Sequence, residues 1–237
     1  MLAGILSGKT RVLDLAYAIS DKLVPWPGDE RWFEAKTNAS VEKDGYFTRS
    51  FWMLEHYGTH LDAPIHFPPG KMTVDQIPPK QLFGMAIVFD VRAEAAADAD
   101  YLLPAARIDQ WEKLHGQVPE GGIALLRTGW ASRWPDAKTY RNEDAAGRMH
   151  FPGFSVEAVG RLIERKVNGI GCDTISVDCG ASQDFAVHHV ALGAGLYHLE
   201  NLADLSEVPE KGAFLVVAPI KLEGGSGGPV RVFALLP

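Results

Sequence analysis

The chain has 237 residues, 46% hydrophobic and 22% charged, with a net charge of −7 at pH 7, which suits a soluble globular protein with a sizeable core. No basic run supports nucleic-acid binding, and no segment approaches the roughly 18 uninterrupted apolar residues of a membrane-spanning helix. The start lacks the leader of a secretory signal, and Cys172 and Cys179 suit neither a disulfide framework nor a Cys-x-x-Cys knuckle, so the chain reads as cytoplasmic.

Residues 11–20 alternate apolar and polar side chains, the pattern of a strand. They lead into Pro25-Trp26-Pro27-Gly28-Asp29, a turn made rigid by two prolines and a glycine. Trp26 is held there either as a core anchor or as one wall of a pocket for a flat substrate. Residues 47–55 read as a further strand, feeding His56-Tyr-Gly-Thr-His60-Leu-Asp62-Ala-Pro64-Ile-His66-Phe67. Three histidines and an aspartate fall within eleven positions of that stretch. Imidazole and carboxylate are the usual donors to zinc and to harder divalent metals.

All four residues have even numbers, so an ideal strand would point them to one face. A fully extended strand would nevertheless hold His56 and Asp62 roughly 20 Å apart, too far to share an ion. A helix carried on to His66 is disfavoured by Pro64. Gly58 gives the backbone freedom to turn, so the expectation is a strand that curls there and brings His56, His60 and Asp62 together.

Beyond it, residues 85–91 read as a buried strand and residues 93–100 as a surface segment. Residues 104–114 read as a helix closed by Gly116, and residues 123–129 as another strand. Residues 130–153 form a long irregular stretch, and long loops are often functional. His150 and Phe151 are its candidate site residues, the alternative being a lid without chemistry. Ser155 is expected to cap a helix that Asn168-Gly169 ends. Residues 170–178 read as a strand with Asp173 and Asp178 near its ends.

His188 and His189 then enter a Gly-rich helix leading to Glu200, and residues 214–220 and 230–236 read as two final strands. Between those strands, residues 224–228 (Gly-Gly-Ser-Gly-Gly) lack a P-loop ending and read as flexible structure only. His188 and Glu200, twelve apart, form a second metal-type pair, in which His189 could replace His188. With strands and helices interspersed and no internal repeat, the expected fold class is α/β (mixed α+β). Residues 1–237 would form a single domain with a central mixed sheet flanked by helices.

The pattern carried by His56, Gly58, Thr59, His60, Asp62, Pro64 and His66 resembles the signature of the cyclase family of metal-dependent hydrolases. His188 ahead of Leu192-Gly-Ala-Gly195, followed by Glu200-Asn-Leu202, is similar to that family's second signature. Asp173-Thr-Ile-Ser-Val-Asp178 and the Trp26-Pro-Gly-Asp29 turn also have family counterparts, so the resemblance spans most of the chain. It implies an α/β hydrolase fold and a homodimer. It implies that His56, His60 and Asp62 hold one divalent metal, Mn or Zn, and that Asp62, Glu200 and His188 reach a second, giving one or two ions per chain. It further implies that His66 is the catalytic acid/base and that Trp26 contacts substrate. Phe67, His150 and Phe151 join Trp26 as candidate substrate contacts.

The chemistry agrees. A bound cation lowers the pKa of its water, in favourable cases to about 7, and polarises a carbonyl. Histidine, with an ordinary pKa of about 6.5, suits proton transfer to a departing nitrogen. The expected reaction is attack of metal-bound hydroxide on an amide or lactam carbonyl, with His66 moving the proton. Arg127-Thr-Gly-Trp130-Ala-Ser-Arg-Trp134 and residues 149–154 look closer to the isatin hydrolase branch. The kynurenine formamidase branch typically reads Gly-Ala-His-Ala-Asp where this chain has Gly58-Thr-His-Leu-Asp62.

The expected substrate is therefore a small aromatic cyclic amide (lactam) of the isatin type, or a related aryl amide, with N-formylkynurenine as the alternative. A reading from another class is a non-catalytic, metal-dependent protein that binds a small ligand, which leaves His66 without a use. A lyase or true cyclase acting on a polyketide-like substrate is a third. No nucleic-acid or membrane partner is expected.

Overall fold

The computed structural model describes residues 2–237. Its strands are β1 (Val12–Asp14), β2 (Phe33–Ala39), β3 (Thr48–Met53), β4 (His60–Asp62), β5 (Phe83–Asp90), β6 (Leu102–Leu103), β7 (Ile123–Arg127), β8 (Gly153–Phe154), β9 (Gly169–Cys172), β10 (Tyr197–Glu200), β11 (Phe214–Pro219) and β12 (Gly227–Leu235). The helices are α1 (Leu2–Leu6), α2 (Val41–Asp44), α3 (Arg92–Ala97), α4 (Ala105–His115), α5 (Ala137–Arg141), α6 (Val156–Glu164) and α7 (Ala186–Gly193).

Eight strands form one mixed sheet in the order β1-β12-β11-β5-β7-β9-β10-β4. The long strand β12 closes it, pairing with β1 and β11 through its C-terminal part and with β4 through Gly227, Gly228 and Pro229. Neighbours β5, β7, β9 and β10 run parallel, whereas β4 and β11 join the sheet antiparallel. Closure removes the unpaired edge that β4 would otherwise present.

The parallel strands read as unbroken apolar runs because both of their faces are covered. Ala86, Val88, Ile123, Leu125, Tyr197 and Leu199 point into the closed sheet. Their alternates Ile87, Phe89, Ala124, Leu126 and Ile170 pack outward against Ile108 and Trp111 of α4, Val159 and Leu162 of α6, and Val187 and Ala191 of α7. At the start of α6, Ser155 Oγ accepts the N–H of Ala158, the expected cap. Gly116, at φ 85°, ends α4 with its N–H donating to Glu112 O.

Several elements depart from expectation for identifiable reasons. The first strand covers only Val12–Asp14, because the Tyr17 N–H turns away to Thr59 Oγ1 at 3.0 Å. The strand expected over 170–178 leaves the sheet after Cys172. Thr174 Oγ1 donates to Ser176 O, and the Asn201 N–H donates to Thr174 O, which folds the chain back. Residues 93–100 lie largely in α3. The stretch 130–153 is not without structure, holding a helical turn at Trp130–Arg133 and the capped helix α5. No helix among the described residues is long and apolar enough to cross a membrane.

Candidate metal centre

The site is written in the register of two neighbouring strands. β4 and β10 are antiparallel, with Glu200 opposite His60 and His198 opposite Asp62. Directly opposed residues have Cβ atoms about 4.5–5.5 Å apart, so these four side chains share one small patch. Their odd-numbered neighbours Leu61, Tyr197 and Leu199 point the other way, into the apolar interior. The chain turns into β4 at Gly58, whose φ of +66° suits glycine, and returns His56 beside Asp62. On the far side of β4, Gly227 opposes Asp62, where a Cβ would meet Leu61 O at 2.4 Å and His56 Cε1 at 2.6 Å. Only glycine lets the sheet close beside the cluster.

The helix α7 brings the remaining donor. Asp178 receives the N–H groups of Val187 and His188 at the start of the helix, and its Oδ2 lies 2.6 Å from His188 Nδ1. His188 Nδ1–H donates to that carboxylate, leaving Nε2 free to face the cluster. His60 is set in the same way: its Nδ1–H donates to Gly58 O at 2.9 Å, which frees its Nε2.

His56 is oriented from the other side. Glu55 accepts both the N–H and the O–H of Ser226, at 2.8 and 2.6 Å. The Ser226 oxygen is then an acceptor for His56 Nε2–H at 2.8 Å. His56 Nδ1 keeps its lone pair, 2.6 Å from Asp62 Oδ1.

The free donors fall into two halves bridged by the two carboxylates. His60 Nε2 lies 3.2 Å from Asp62 Oδ1 and 3.4 Å from Glu200 Oε2. His188 Nε2 lies 3.5 Å from Asp62 Oδ2 and 3.4 Å from Glu200 Oε1, and His198 Nδ1 is 3.4 Å from Asp62 Oδ2. Tetrahedral bonds of about 2.0–2.2 Å separate ligand atoms by about 3.3–3.6 Å, which matches this spacing. Asp62 Oδ2 and both ring nitrogens of His198 are buried without a hydrogen-bond partner. Orphaned buried polar atoms are destabilising, and a cation coordinated here would satisfy Asp62 Oδ2 and the His198 nitrogen nearest to it.

The electrostatics point the same way. Burial works against a charged His60, but Asp62 and Glu200 outweigh it and raise its pKa to about 10. His188 is likewise raised to about 10, burial being overcome by Asp178, Asp62 and Glu200. Asp62 is held well below the ordinary carboxylate range: four surrounding histidines outweigh its burial. The pocket of potential thus attracts positive charge, whether proton or metal.

A cavity of about 370 Å³ opens beside the cluster. His56, His60, His188 and Glu200 form its floor, and Trp26, Phe67 and Phe185 its aromatic walls. His66 also lines it, stacked on His56 with ring centroids 3.8 Å apart and set edge-on to Phe67. Burial lowers His66 to about 4, with the charges of His56 and His188 adding to the effect against the pull of Asp62.

Of the residues expected from sequence, the fold therefore brings together Trp26, His56, His60, Asp62, His66, Phe67, His188 and Glu200. His188 is buried in the cluster while His189 is exposed. Two candidate substrate contacts are corrected. His150 pairs with Asp100 at 2.8 Å, and Phe151 is fully buried with Trp130 and Tyr140, so neither lines the cavity. A long loop had suggested them, but the loop packs Phe151 inward as core. The Gly-rich stretch 224–228 is also more than flexible structure, since Ser226 orients His56 and Gly227 admits it.

The sequence pattern does not single out His198, Glu55, Ser226 or Phe185. His198 carried a usable signal, being two residues from Glu200 and hence on the same face of a strand.

Comparison with known proteins identifies the family. The chain belongs to the cyclase family: the "Putative cyclase" family model matches residues 13–179, and the likeness to characterised relatives runs the length of the protein. The chain is 34% identical to the isatin hydrolase of Roseibium aggregatum, covering 99% of this chain and 95% of the relative. It is 29% identical to the kynurenine formamidase of Salinibacter ruber, covering 93% and 95%. Among solved structures, isatin hydrolase A from Ralstonia solanacearum superposes with a TM-score of 0.91 at 35% identity, covering 100% of this chain and 95% of that one. An isatin hydrolase bound to the product analogue thioisatinate gives 0.92 at 32% identity, covering 99% and 95%.

Proposed function

We propose that residues 1–237 form one hydrolase domain that opens a cyclic amide of the isatin type, using divalent metal held by His56, His60, Asp62, His188 and Glu200. The observation that carries this is the bridging arrangement, in which each carboxylate turns one oxygen toward His60 and the other toward His188. That arrangement supports two ions per chain, with His198 completing the half nearer His188. The imidazole and carboxylate donors suit either Mn or Zn. When bound, the metal supplies Lewis-acid polarisation of the carbonyl and acidifies water.

The remaining work falls to the chain itself. Trp26, Phe67 and Phe185 hold the flat ring and keep bulk water from the reacting carbon. His66, neutral at neutral pH and placed at the cavity wall beside His56, takes the proton from the attacking water and returns it to the departing nitrogen. The proposal includes a cytoplasmic homodimer. Tyr46, Phe47 and Phe51, exposed at 59%, 59% and 63% at the start of and along β3, are large apolar side chains that a dimer contact would cover. A second reading, hydrolysis of N-formylkynurenine, is favoured by the 29% identity to a kynurenine formamidase.

The experiment is absorbance-monitored hydrolysis of isatin beside N-formylkynurenine, with metal-loaded protein and a chelated control. Chelator-sensitive opening of isatin is the expected result. Turnover of N-formylkynurenine alone would replace the first reading by the second, and turnover of neither would reject both. In the same assay His66→Ala should lower kcat by about 10²–10⁴-fold while metal content stays unchanged. If metal is lost with activity, His66 is a ligand, a role its distance to the His56 and Asp62 donors also permits.

A further inference from the structure

The walls of the cavity carry a charge pattern that the hydrolytic chemistry does not require. Apart from the metal-binding cluster, its ionisable lining residues are Asp29 and Glu55, together with His66, and no lysine or arginine is among the described residues that line it. Glu55 is committed to Ser226 through two hydrogen bonds. Asp29 is not so engaged: its backbone N–H donates to Trp26 O, closing the turn, and its carboxylate pairs with no other described residue. Trp26 and Asp29 therefore both line the cavity from one short turn.

A carboxylate on a bound substrate would lose hydration against Trp26, Phe67 and Phe185 while sharing the cavity with the acidic side chains of Asp29 and Glu55. Like charges in a partly enclosed, weakly screened space repel far more than in water. The carboxylate produced at the reacting carbon is exempt, because it would form beside the divalent metal that the cluster would hold. A second carboxylate elsewhere on the ring has no such counter-charge.

We propose that Asp29, together with Glu55, makes this cavity selective for ring amides that carry no anionic group away from the reacting carbonyl. This rests on the hydrolase reading above and names a specificity residue within the same site. Asp29 does not touch the reacting atoms, so its influence is expected in KM rather than in kcat for neutral substrates.

The test compares isatin with isatin-5-carboxylate and the nearly isosteric, neutral isatin-5-carboxamide, using metal-loaded wild-type, Asp29→Asn and Asp29→Lys proteins. In the wild type kcat/KM for the carboxamide should exceed that for the carboxylate by at least about tenfold, as one unit of like-charge repulsion at close range implies. The ratio should shrink in Asp29→Asn and shrink further in Asp29→Lys, chiefly through a lower KM for the carboxylate.

A wild-type ratio near one, or a ratio unchanged in Asp29→Lys, overturns the inference while leaving the hydrolase reading intact. Opening of isatin but of neither substituted compound also overturns it, since shape would then set the limit. Failure to open isatin itself defeats the hydrolase reading, and the inference with it.

Discussion

The two faces of β4 and β10 are built from alternate residues of the same short segments, yet they follow opposite rules. On one face Leu61, Tyr197 and Leu199 join the apolar interior of the closed sheet. On the other His60, Asp62, His198 and Glu200 gather ionisable groups that are equally shielded from solvent. Apolar burial stabilises the first face by about 25 cal/mol per Å². The second opposes folding unless its charges are well partnered, and Asp62 Oδ2 and the His198 nitrogens have no hydrogen-bond partner among the described residues. One strand pair thus separates the apolar core from the candidate metal centre across the thickness of a backbone, and a slip of one residue in register would exchange the two.

Adjacent substitutions on the opposite faces test that separation most severely. Asp62→Asn removes the carboxylate that bridges both halves of the cluster. It should eliminate bound metal and lower kcat/KM by about 10³-fold or more, since cation chemistry contributes several kcal/mol. Leu61→Ala should instead destabilise the fold by about 2–5 kcal/mol, the usual range for a buried leucine. Metal per folded molecule should stay the same. Denaturant unfolding and elemental analysis of both variants read the two effects separately. Metal loss from folded Leu61→Ala protein, or metal retained by Asp62→Asn, would show that the faces are not independent.

How much of each face could be read from sequence follows from the range of the interactions. The apolar face was legible: unbroken runs mark β5 and β7, and Ser155 and Gly116 mark helix ends through local hydrogen bonds. His60 and Asp62 were legible because their even spacing and the turn at Gly58 lie within a few residues. His198 is not legible locally, because its place in the cluster depends on register with β4, and the pairing of His198 with Asp62 joins distant parts of the chain. Ser226 was less legible still, lying 171 residues from Glu55 in a stretch whose glycines suggested only flexibility. His150 and Phe151 failed the other way, because loop length says nothing about which side chains turn into the core.

Ser226 gives a prediction of intermediate size. The Glu55–Ser226–His56 chain fixes which nitrogen of His56 is free, and loss of such an outer partner typically lowers metal affinity by about 10–100-fold. Ser226→Ala should therefore weaken metal binding within that range, measured by competition with a chelator, without the complete loss expected of Asp62→Asn. An unchanged affinity would remove His56 from the ligand set or show that Asp62 alone orients it.

The smallest expected effect lies outside both faces. Ser155 caps α6, whose Val159 and Leu162 pack on the outer side of the sheet, among Ile87, Phe89 and Leu126. Replacing a serine cap by alanine typically costs about 1 kcal/mol. Ser155→Ala should lower unfolding stability by that amount and leave metal affinity and kcat/KM unchanged within error. The cluster is set by β4, β10 and the start of α7, and α6 contributes no donor to it. If so small a loss at α6 also weakened metal binding, the ligands would be coupled to global stability through the helix layer, which packs α6 directly against α7. The polar face would then be only as well ordered as the apolar layers that support it.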